Sequence, residues 1–116
     1  MIFIIEDGEV MAECMCRAVG YKNKVKVFSN AIDVMNEITN NNLPDLIFLD
    51  ILLIGPDGFT FLNEAVSYSD TAMIPVVIVS SLDFGGKDFL EYGVVGVLNK
   101  EKMVPGDIEK YVNKYC

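Results

Sequence analysis

Five short apolar runs are spaced along the chain and predict the strands of a sheet. In chain order they are Ile2–Ile5, Val25–Phe28, Leu46–Leu49, Val76–Val79 and Val94–Leu98. The first, third and fourth runs are continuous rather than alternating, which is typical of strands that are covered on both faces. We therefore expect a sheet whose central strands are buried on both sides.

The segments between these runs have mostly helical patterns. Apolar residues recur at i, i+3, i+4 and i+7 over Ala31–Ile38 and again over Ile108–Tyr115. The stretch Glu9–Val19 is apolar on two faces, and a further amphipathic helix is predicted after Gly58. Between the fourth and fifth runs the candidate helix is Lys87–Tyr92, which is short and has a poor apolar pattern. This predicts a shortened fourth helix.

The alternation of apolar runs with helical patterns predicts an α/β fold. The runs begin about 18–30 residues apart, the length of a strand–helix repeat. Crossovers of this kind are right-handed and give parallel strands with helices on both faces. We therefore predict a single (βα)5 domain over residues 1–116, a doubly wound parallel sheet without linker, internal repeat or tail. Because the last helical pattern reaches the C-terminus, we expect no output domain in this chain.

Composition narrows the class of protein. Hydrophobic residues make up 52% of the 116 residues, so the chain can bury a core and is not expected to be disordered. The formal net charge of −8 argues against nonspecific binding to nucleic acid or to an anionic membrane. No apolar run approaches the ~20 residues that span a bilayer, and the N-terminus lacks the basic region of a signal peptide. We expect a cytoplasmic protein.

The cysteines and the missing histidines limit the possible chemistry. Cys14, Cys16 and Cys116 have no framework spacing, so a disulfide scaffold is not expected. Cys14 and Cys16 fall on a predicted helix, where positions i and i+2 point apart, and this disfavours a zinc site. Because the chain has no histidine, Ser–His–Asp and Cys–His mechanisms are excluded. Any reaction must use carboxylates, lysine, hydroxyls or a metal.

Acidic, hydroxyl and amine side chains stand within two residues of the ends of four of the five predicted strands. They are, in chain order, Glu6 and Asp7, Asp50, Ser80 and Lys100. In a doubly wound fold the carboxyl ends of the strands form the site. Any one of these residues alone has an ordinary explanation, since acids after strands often cap the next helix. Asp50 is harder to explain in that way, because apolar residues flank it on both sides and a charge is rarely placed there without a partner.

Together these residues suit phosphoryl transfer. Carboxylates held close together repel unless a cation is supplied, and three hard oxygen ligands suit Mg²⁺. With Lys100 and the Ser80 hydroxyl, such a site would surround a phosphoryl group on Asp50 with positive charge and hydrogen-bond donors. Aspartate is an established covalent acceptor in reactions of this type.

This set of residues resembles the receiver domain of two-component response regulators. The resemblance includes Asp57-Gly58, seven residues after Asp50, and covers essentially the whole chain. It implies a flavodoxin-like strand order 2-1-3-4-5 and a stand-alone receiver domain that signals rather than turning over a substrate. It also implies that a phosphohistidine on a sensor histidine kinase or phosphotransfer protein supplies the phosphoryl group, and that phosphorylation changes binding to a downstream protein of unknown identity.

The resemblance also implies roles for the site residues. Asp50 is the implied phosphoacceptor, Ser80 hydrogen-bonds the phosphoryl group and Lys100 pairs with it. The implied Mg²⁺ ligands are Asp7, Asp50 and the backbone carbonyl of Leu52, with Glu6 acting through water.

Several positions depart from the family pattern. Ile54 and Glu101 stand where proline is usual, and we expect a trans bond before Glu101 because a non-proline cis bond costs about 2.5–4 kcal/mol. Val97 replaces the usual tyrosine or phenylalanine whose rotation reports phosphorylation. The segment from Ser80 to Lys100 is about two residues shorter than usual, in agreement with a short fourth helix. The chemistry is expected to be intact, whereas the usual output surface is not.

Two leucines bear on the lifetime of a phosphorylated form. Leu52 and Leu82 lie two residues after Asp50 and Ser80, at positions that in this family influence the attacking water. Neither side chain can orient water by hydrogen bonding, so we expect slow hydrolysis of the phosphoryl group.

Three other functions are open to a chain of this kind. The first is a receiver-like interaction module that phosphorylation does not regulate, which Val97 and the short fourth helix favour. The second is a haloacid-dehalogenase-type phosphatase, but that chemistry wants an acid where Leu52 stands. The third is a flavodoxin, but Glu6 and Asp7 would repel the phosphate of FMN. No motif supports DNA binding.

Overall fold

The computed structural model describes residues 1–20, 22–39, 43–50, 73–81 and 93–116. These residues form five strands and three helices. The strands are β1 (Ile2–Ile5), β2 (Val25–Phe28), β3 (Leu46–Leu49), β4 (Val76–Ser80) and β5 (Val94–Asn99). The helices are α1 (Glu9–Val19), α2 (Ala31–Thr39) and α3 (Pro105–Tyr115). The helix expected after Gly58 and the shortened helix expected at Lys87–Tyr92 lie outside the described residues, as do Leu52, Ile54, Asp57 and Leu82.

All strand pairs in the sheet are parallel, and the strand order is β2-β1-β3-β4-β5. The predicted doubly wound α/β fold and its strand order are therefore confirmed. The structure extends β4 and β5 by one residue each beyond the predicted ends, because Ser80 and Asn99 pair with each other in the ladder.

The core lies on both faces of the sheet, because successive side chains of a strand point to opposite sides. On one face Phe3 and Ile5 of β1 pack with Val34 of α2 in a buried cluster. On the other face Ile2 and Ile4 pack in a second cluster with residues of α1 and α3. The continuous apolar runs of the central strands follow from this double burial.

Local hydrogen bonds define the helix ends. Asn30 caps α2, because its Oδ1 accepts the Asp33 N–H at 2.9 Å. At the start of α3 the Asp107 carboxylate accepts the Val104 N–H at 2.9 Å. Helix α1 ends at Gly20, whose φ of 84° favours glycine. None of the helices in the described ranges is both long enough and apolar enough to cross a bilayer.

Strand β5 contains a bulge next to its partner β4. Val76 pairs with Val94, but Val77 pairs with Gly96, so Val95 is an extra residue in β5. Val95 is 40% exposed. The bulge resets the alternation of faces, and Val97 therefore packs against the cluster on the α2 face.

Candidate functional site

The sheet register brings the ends of β1 and β3 together. Ile5 pairs with Leu49, so the residues that follow them emerge side by side. The Glu6 N–H donates to the Phe28 carbonyl at 2.9 Å, and the Asp50 N–H donates to the Ile5 carbonyl at 2.9 Å. These backbone bonds hold the two acidic residues at the carboxyl edge of the sheet.

Three carboxylates form a cluster at this edge. Glu6, Asp7 and Asp50 each place one oxygen so that all three lie within 4.8 Å of one another. Glu6 is only 4% exposed and Asp50 only 5%, while Asp7 is half-buried. Buried carboxylates at this separation repel unless a cation lies nearby. Their hard oxygens and their spacing fit a divalent cation such as Mg²⁺.

Lys100 extends into the same cluster from the end of β5. Its Nζ lies 3.0 Å from Oε1 and 2.8 Å from Oε2 of Glu6, and it donates to Oδ2 of Asp50 at 3.1 Å. The Oε2 atom is buried and within ion-pair distance, but it has no hydrogen bond. A single ammonium thus offsets part of the charge of two buried carboxylates and leaves an oxygen with spare acceptor capacity.

The surroundings of Glu6 and Lys100 raise the pKa values of both side chains. Burial raises the pKa of Glu6 above its ordinary value of 4.5, although hydrogen bonds from Lys100 and the Gly8 N–H oppose the change. The negative charge of Asp50 raises it further. Burial alone would lower the pKa of Lys100, but hydrogen bonds to Glu6 and Asp50 raise it above its ordinary value. The lysine is therefore charged throughout the acidic and neutral pH range.

The other expected site residues are placed as follows. Ser80 is fully buried at the carboxyl end of β4, and its carbonyl accepts the Lys100 N–H at 2.9 Å. The described residues contain no cis peptide bond, so the bond between Lys100 and Glu101 is trans, as expected. The structure thus brings Glu6, Asp7, Asp50 and Lys100 together, with Ser80 adjacent along the sheet edge. Leu52 lies outside the described residues.

Sequence patterns missed one contributor to the site, Gly8. Its N–H donates to Oε1 of Glu6 at 3.1 Å, and a Cβ at this position would lie 3.1 Å from the same oxygen. A larger residue would press on the carboxylate that Lys100 also holds. The signal in the sequence was a glycine directly after the two acids, at the start of α1.

Comparison with known proteins agrees with the geometry of this site. A family model described as the response regulator receiver domain matches residues 2–113. A protein-glutamate methylesterase/protein-glutamine glutaminase from Geobacter metallireducens is 31% identical over 108 residues, which cover 88% of this chain and 30% of that protein. The chain thus spans less than a third of the length of the first curated relatives that it matches.

Solved structures show the same fold. A two-component response regulator from Legionella pneumophila superimposes with a TM-score of 0.82 at 23% identity, over 97% of both chains. The receiver domain of a sensor histidine kinase from Pseudomonas aeruginosa, solved with magnesium coordinated in its active-site cleft, gives 0.78 at 20% identity, over 98% of this chain and 94% of that one. The family match spans nearly the whole chain, and the protein therefore belongs to the response regulator receiver domain family of two-component signalling.

Proposed function

We propose that Asp50 accepts a phosphoryl group from a phosphohistidine in a Mg²⁺-dependent reaction. The observation that carries this proposal is the buried cluster of Glu6, Asp7 and Asp50 with Lys100 at the carboxyl edge of the sheet. Burial of several charged groups at one point costs free energy, and such clusters are typical of functional sites. At a phosphoryl site these groups would bind the metal and the phosphoryl oxygens.

The proposed step transfers phosphorus from nitrogen to oxygen. A carboxylate oxygen of Asp50 forms a bond to phosphorus while the bond from phosphorus to the histidine nitrogen breaks, and the electron pair leaves with that nitrogen. The Lys100 ammonium already lies 3.1 Å from Asp50, where it can pair with the oxygens of the arriving group. The Ser80 hydroxyl is proposed to donate a hydrogen bond to one of these oxygens.

The chain's own residues fit a divalent metal. Glu6, Asp7 and Asp50 supply hard oxygen donors within 4.8 Å of one another, and the buried Oε2 of Glu6 lies 2.8 Å from the Lys100 ammonium. We propose that Asp7, Asp50 and the carbonyl of Leu52 bind Mg²⁺ and that Glu6 does so through water. A bound Mg²⁺ would neutralise charge on the phosphoryl oxygens. The magnesium ion coordinated in the active-site cleft of the Pseudomonas receiver domain supports this choice of metal.

The wider function follows from this proposal. The phosphoryl donor is a sensor histidine kinase or a phosphotransfer protein, and phosphorylation shifts a conformational equilibrium that a downstream protein reads. We propose that this domain signals and is not itself a turnover enzyme. Its cytoplasmic location stays a prediction.

Phosphotransfer from candidate histidine kinases tests the proposal, with wild type beside an Asp50→Asn variant. Wild type is expected to take up phosphate only with Mg²⁺, and the variant not at all. Asp45→Asn is a matched control, because Asp45 precedes the same strand that Asp50 follows. Acetyl phosphate and beryllofluoride serve as donor-independent probes. If neither gives a response that depends on Asp50, the phosphorylation-independent interaction module becomes the better account.

The lifetime of the phosphorylated form is a separate test. We propose slow hydrolysis, because Leu52 and Leu82 cannot orient an attacking water by hydrogen bonding. A Leu52→Asn variant should therefore lose its phosphoryl group faster than wild type when decay is followed after the donor is removed. Equal decay rates would contradict this expectation.

A further inference from the structure

The side chain of Lys100 crosses the carboxyl edge of the sheet to reach the acidic cluster. Lys100 follows β5, whereas Glu6 and Asp50 follow β1 and β3. In the strand order β2-β1-β3-β4-β5, two strand spacings separate β5 from β3 and three separate it from β1. Each spacing is about 4.7–4.9 Å, and the lysine side chain has only a four-carbon stem. A small displacement of the Lys100 backbone would therefore lengthen its contacts of 2.8 Å with Glu6 and 3.1 Å with Asp50.

The backbone of Lys100 lies in a turn that follows β5 and is organised around Asn99. The Lys100 N–H donates to the Ser80 carbonyl at 2.9 Å, which anchors the start of the turn to β4. The Asn99 carbonyl accepts the N–H groups of Lys102 at 3.1 Å and of Met103 at 2.8 Å. The main chain of Asn99 thus closes the turn that carries the lysine.

The side chain of Asn99 adds a further bond to this turn. Its Oδ1 accepts the Glu101 N–H at 2.8 Å, in the manner of an Asx turn, where a side-chain oxygen takes the place of a backbone carbonyl. Donor and acceptor lie on either side of Lys100 in the sequence. The bond therefore constrains the backbone both before and after the lysine.

We propose that Asn99 is a positioning residue for phosphoryl transfer, because it holds Lys100 where the ammonium meets Asp50 and the arriving phosphoryl group. The inference rests on the proposed function and assigns a role to a residue that the proposed reaction does not otherwise use. It changes no bond of that reaction, since phosphorus still passes from the histidine nitrogen to the Asp50 carboxylate. Asn99 acts through Lys100 alone.

Phosphorylation by acetyl phosphate and Mg²⁺ tests this role without a kinase. Asn99→Ala should slow the reaction of Asp50 at least about tenfold, since a misplacement of about 1 Å can cost about a hundredfold in rate. Asn99→Asp and Asn99→Ser each keep an acceptor oxygen for the Glu101 N–H, and at least one of them should restore most of the rate.

Asn30→Ala is the matched control for the loss of the bond. Asn30 Oδ1 accepts the Asp33 N–H at 2.9 Å, so this variant also removes a bond from an asparagine oxygen to an exposed backbone N–H. That bond caps α2 and does not involve Lys100. Asn30→Ala should therefore be phosphorylated as fast as wild type.

A double-mutant cycle separates positioning of Lys100 from general damage to the fold. If Asn99 acts through Lys100, Asn99→Ala added to Lys100→Met should not slow the reaction further. Circular dichroism establishes that each variant is folded. Should Lys100→Met not fold, the comparison of Asn99→Ala with Asn30→Ala and with the two acceptor variants still decides.

The inference is overturned if Asn99→Ala reacts at the wild-type rate, if neither acceptor variant restores the rate, if both alanine variants slow equally, or if the losses in the cycle add. Wild type that takes up no phosphate on Asp50 would instead refute the proposed function. A crystal structure of Asn99→Ala then tests the inference alone. Lys100 Nζ should lie farther than 3.1 Å from Asp50 Oδ2, and an unchanged distance would overturn the role of Asn99.

Discussion

At the scale of single residues, Lys100 compensates the negative charge of the buried acidic cluster. Its ammonium contacts both Glu6 and Asp50, whose side chains are only 2% and 6% exposed. An unpaired buried carboxylate is much more costly than an exposed one. Lys100 is therefore a structural cation in the metal-free protein as well as the proposed partner of a phosphoryl group.

Replacement of this lysine should destabilise the protein. Lys100→Met is expected to lower the free energy of unfolding at neutral pH by about 3–5 kcal/mol, because it leaves two buried carboxylates without their cation. Urea denaturation measures the change. Lys26→Met is the matched control, since Lys26 and Glu37 form a more exposed pair, and such pairs contribute about 0–1 kcal/mol. Equal losses in the two variants would contradict this account.

The raised pKa of Glu6 gives stability a definite pH dependence. The folded protein holds the Glu6 proton more tightly than the unfolded chain does. The resulting stabilisation is complete below the ordinary value of 4.5 and is lost as pH rises through the higher folded value. Lys100 adds no change in this range, because its stabilisation is lost only above its ordinary value of 10.5.

A Glu6→Gln variant makes this dependence measurable. The stability of wild type relative to the variant should fall as pH rises from 4 towards neutrality, in urea denaturation without Mg²⁺. Glu13→Gln provides a control on α1, where Glu13 is exposed and pairs with Arg17. If the stability of wild type relative to Glu6→Gln instead increases with pH, folding does not raise the pKa of Glu6.

Most residues of the cluster could be predicted because each charged residue lies within two positions of the end of an apolar run. A strand end is visible in a sequence, and parallel strands bring their ends to one edge. The contact between Gly8 and Glu6 could not be predicted, because it depends on the side-chain conformation of a buried glutamate. The contacts of Lys100 with both Glu6 and Asp50 likewise depend on side-chain conformation that spacing does not define.

At the scale of elements, helix α3 packs against strand β5 at a glycine, Gly96. Tyr111 of α3 packs against Gly96 so closely that a Cβ on Gly96 would overlap the tyrosine ring. The usual aromatic residue of the family is absent at Val97, on the other face of the strand. Among the described residues, the aromatic ring that packs on β5 at Gly96 therefore comes from helix α3.

This contact predicts a strong effect of a small substitution. Gly96→Ala should destabilise the protein by about 1–3 kcal/mol, the usual cost of overpacking. Tyr111→Leu combined with Gly96→Ala should recover part of that loss in a double-mutant cycle. Gly106→Ala is the control, because nothing lies within 4 Å of the position its Cβ would take. A Gly96→Ala variant as stable as Gly106→Ala would contradict the contact.

The strands were predictable because buried parallel strands are continuous apolar runs, and the structure differs from the expected bounds by one residue in β4 and β5. The bulge at Val95 was not predictable, since Val94–Leu98 gives no periodicity that marks an extra residue. Helix α1 was ambiguous for a related reason. Both of its faces carry apolar residues, and only the structure shows that Met15 is buried while Val10 is 77% exposed.

At the scale of the whole molecule, the acidic cluster would couple the proposed binding of Mg²⁺ to folding. The three carboxylates come from residues that follow β1 and β3, so the complete ligand set exists only when the sheet is formed. A ligand that binds only the folded state stabilises it in proportion to the logarithm of its concentration.

Magnesium should therefore raise the unfolding free energy, by about 2.7 kcal/mol at a hundred times its dissociation constant. Chelation with EDTA should reverse the gain, and Asp7→Asn should abolish most of it. Glu109→Gln removes the same charge from an exposed position on α3 and should leave the effect of Mg²⁺ unchanged. Urea denaturation across a magnesium series is the measurement, and equal gains in both variants would refute this linkage.

The bulge at Val95 affects how β5 would respond to the deletion of one residue. Removal of Val95 would leave the pairs Val76–Val94, Val77–Gly96 and Ile78–Val97 unchanged, because Val95 has no partner in β4. Removal of a residue further along β5 would instead move every later side chain of the strand to the opposite face of the sheet. Val95 is thus the position in this strand where a one-residue deletion can be absorbed while Lys100 keeps its orientation.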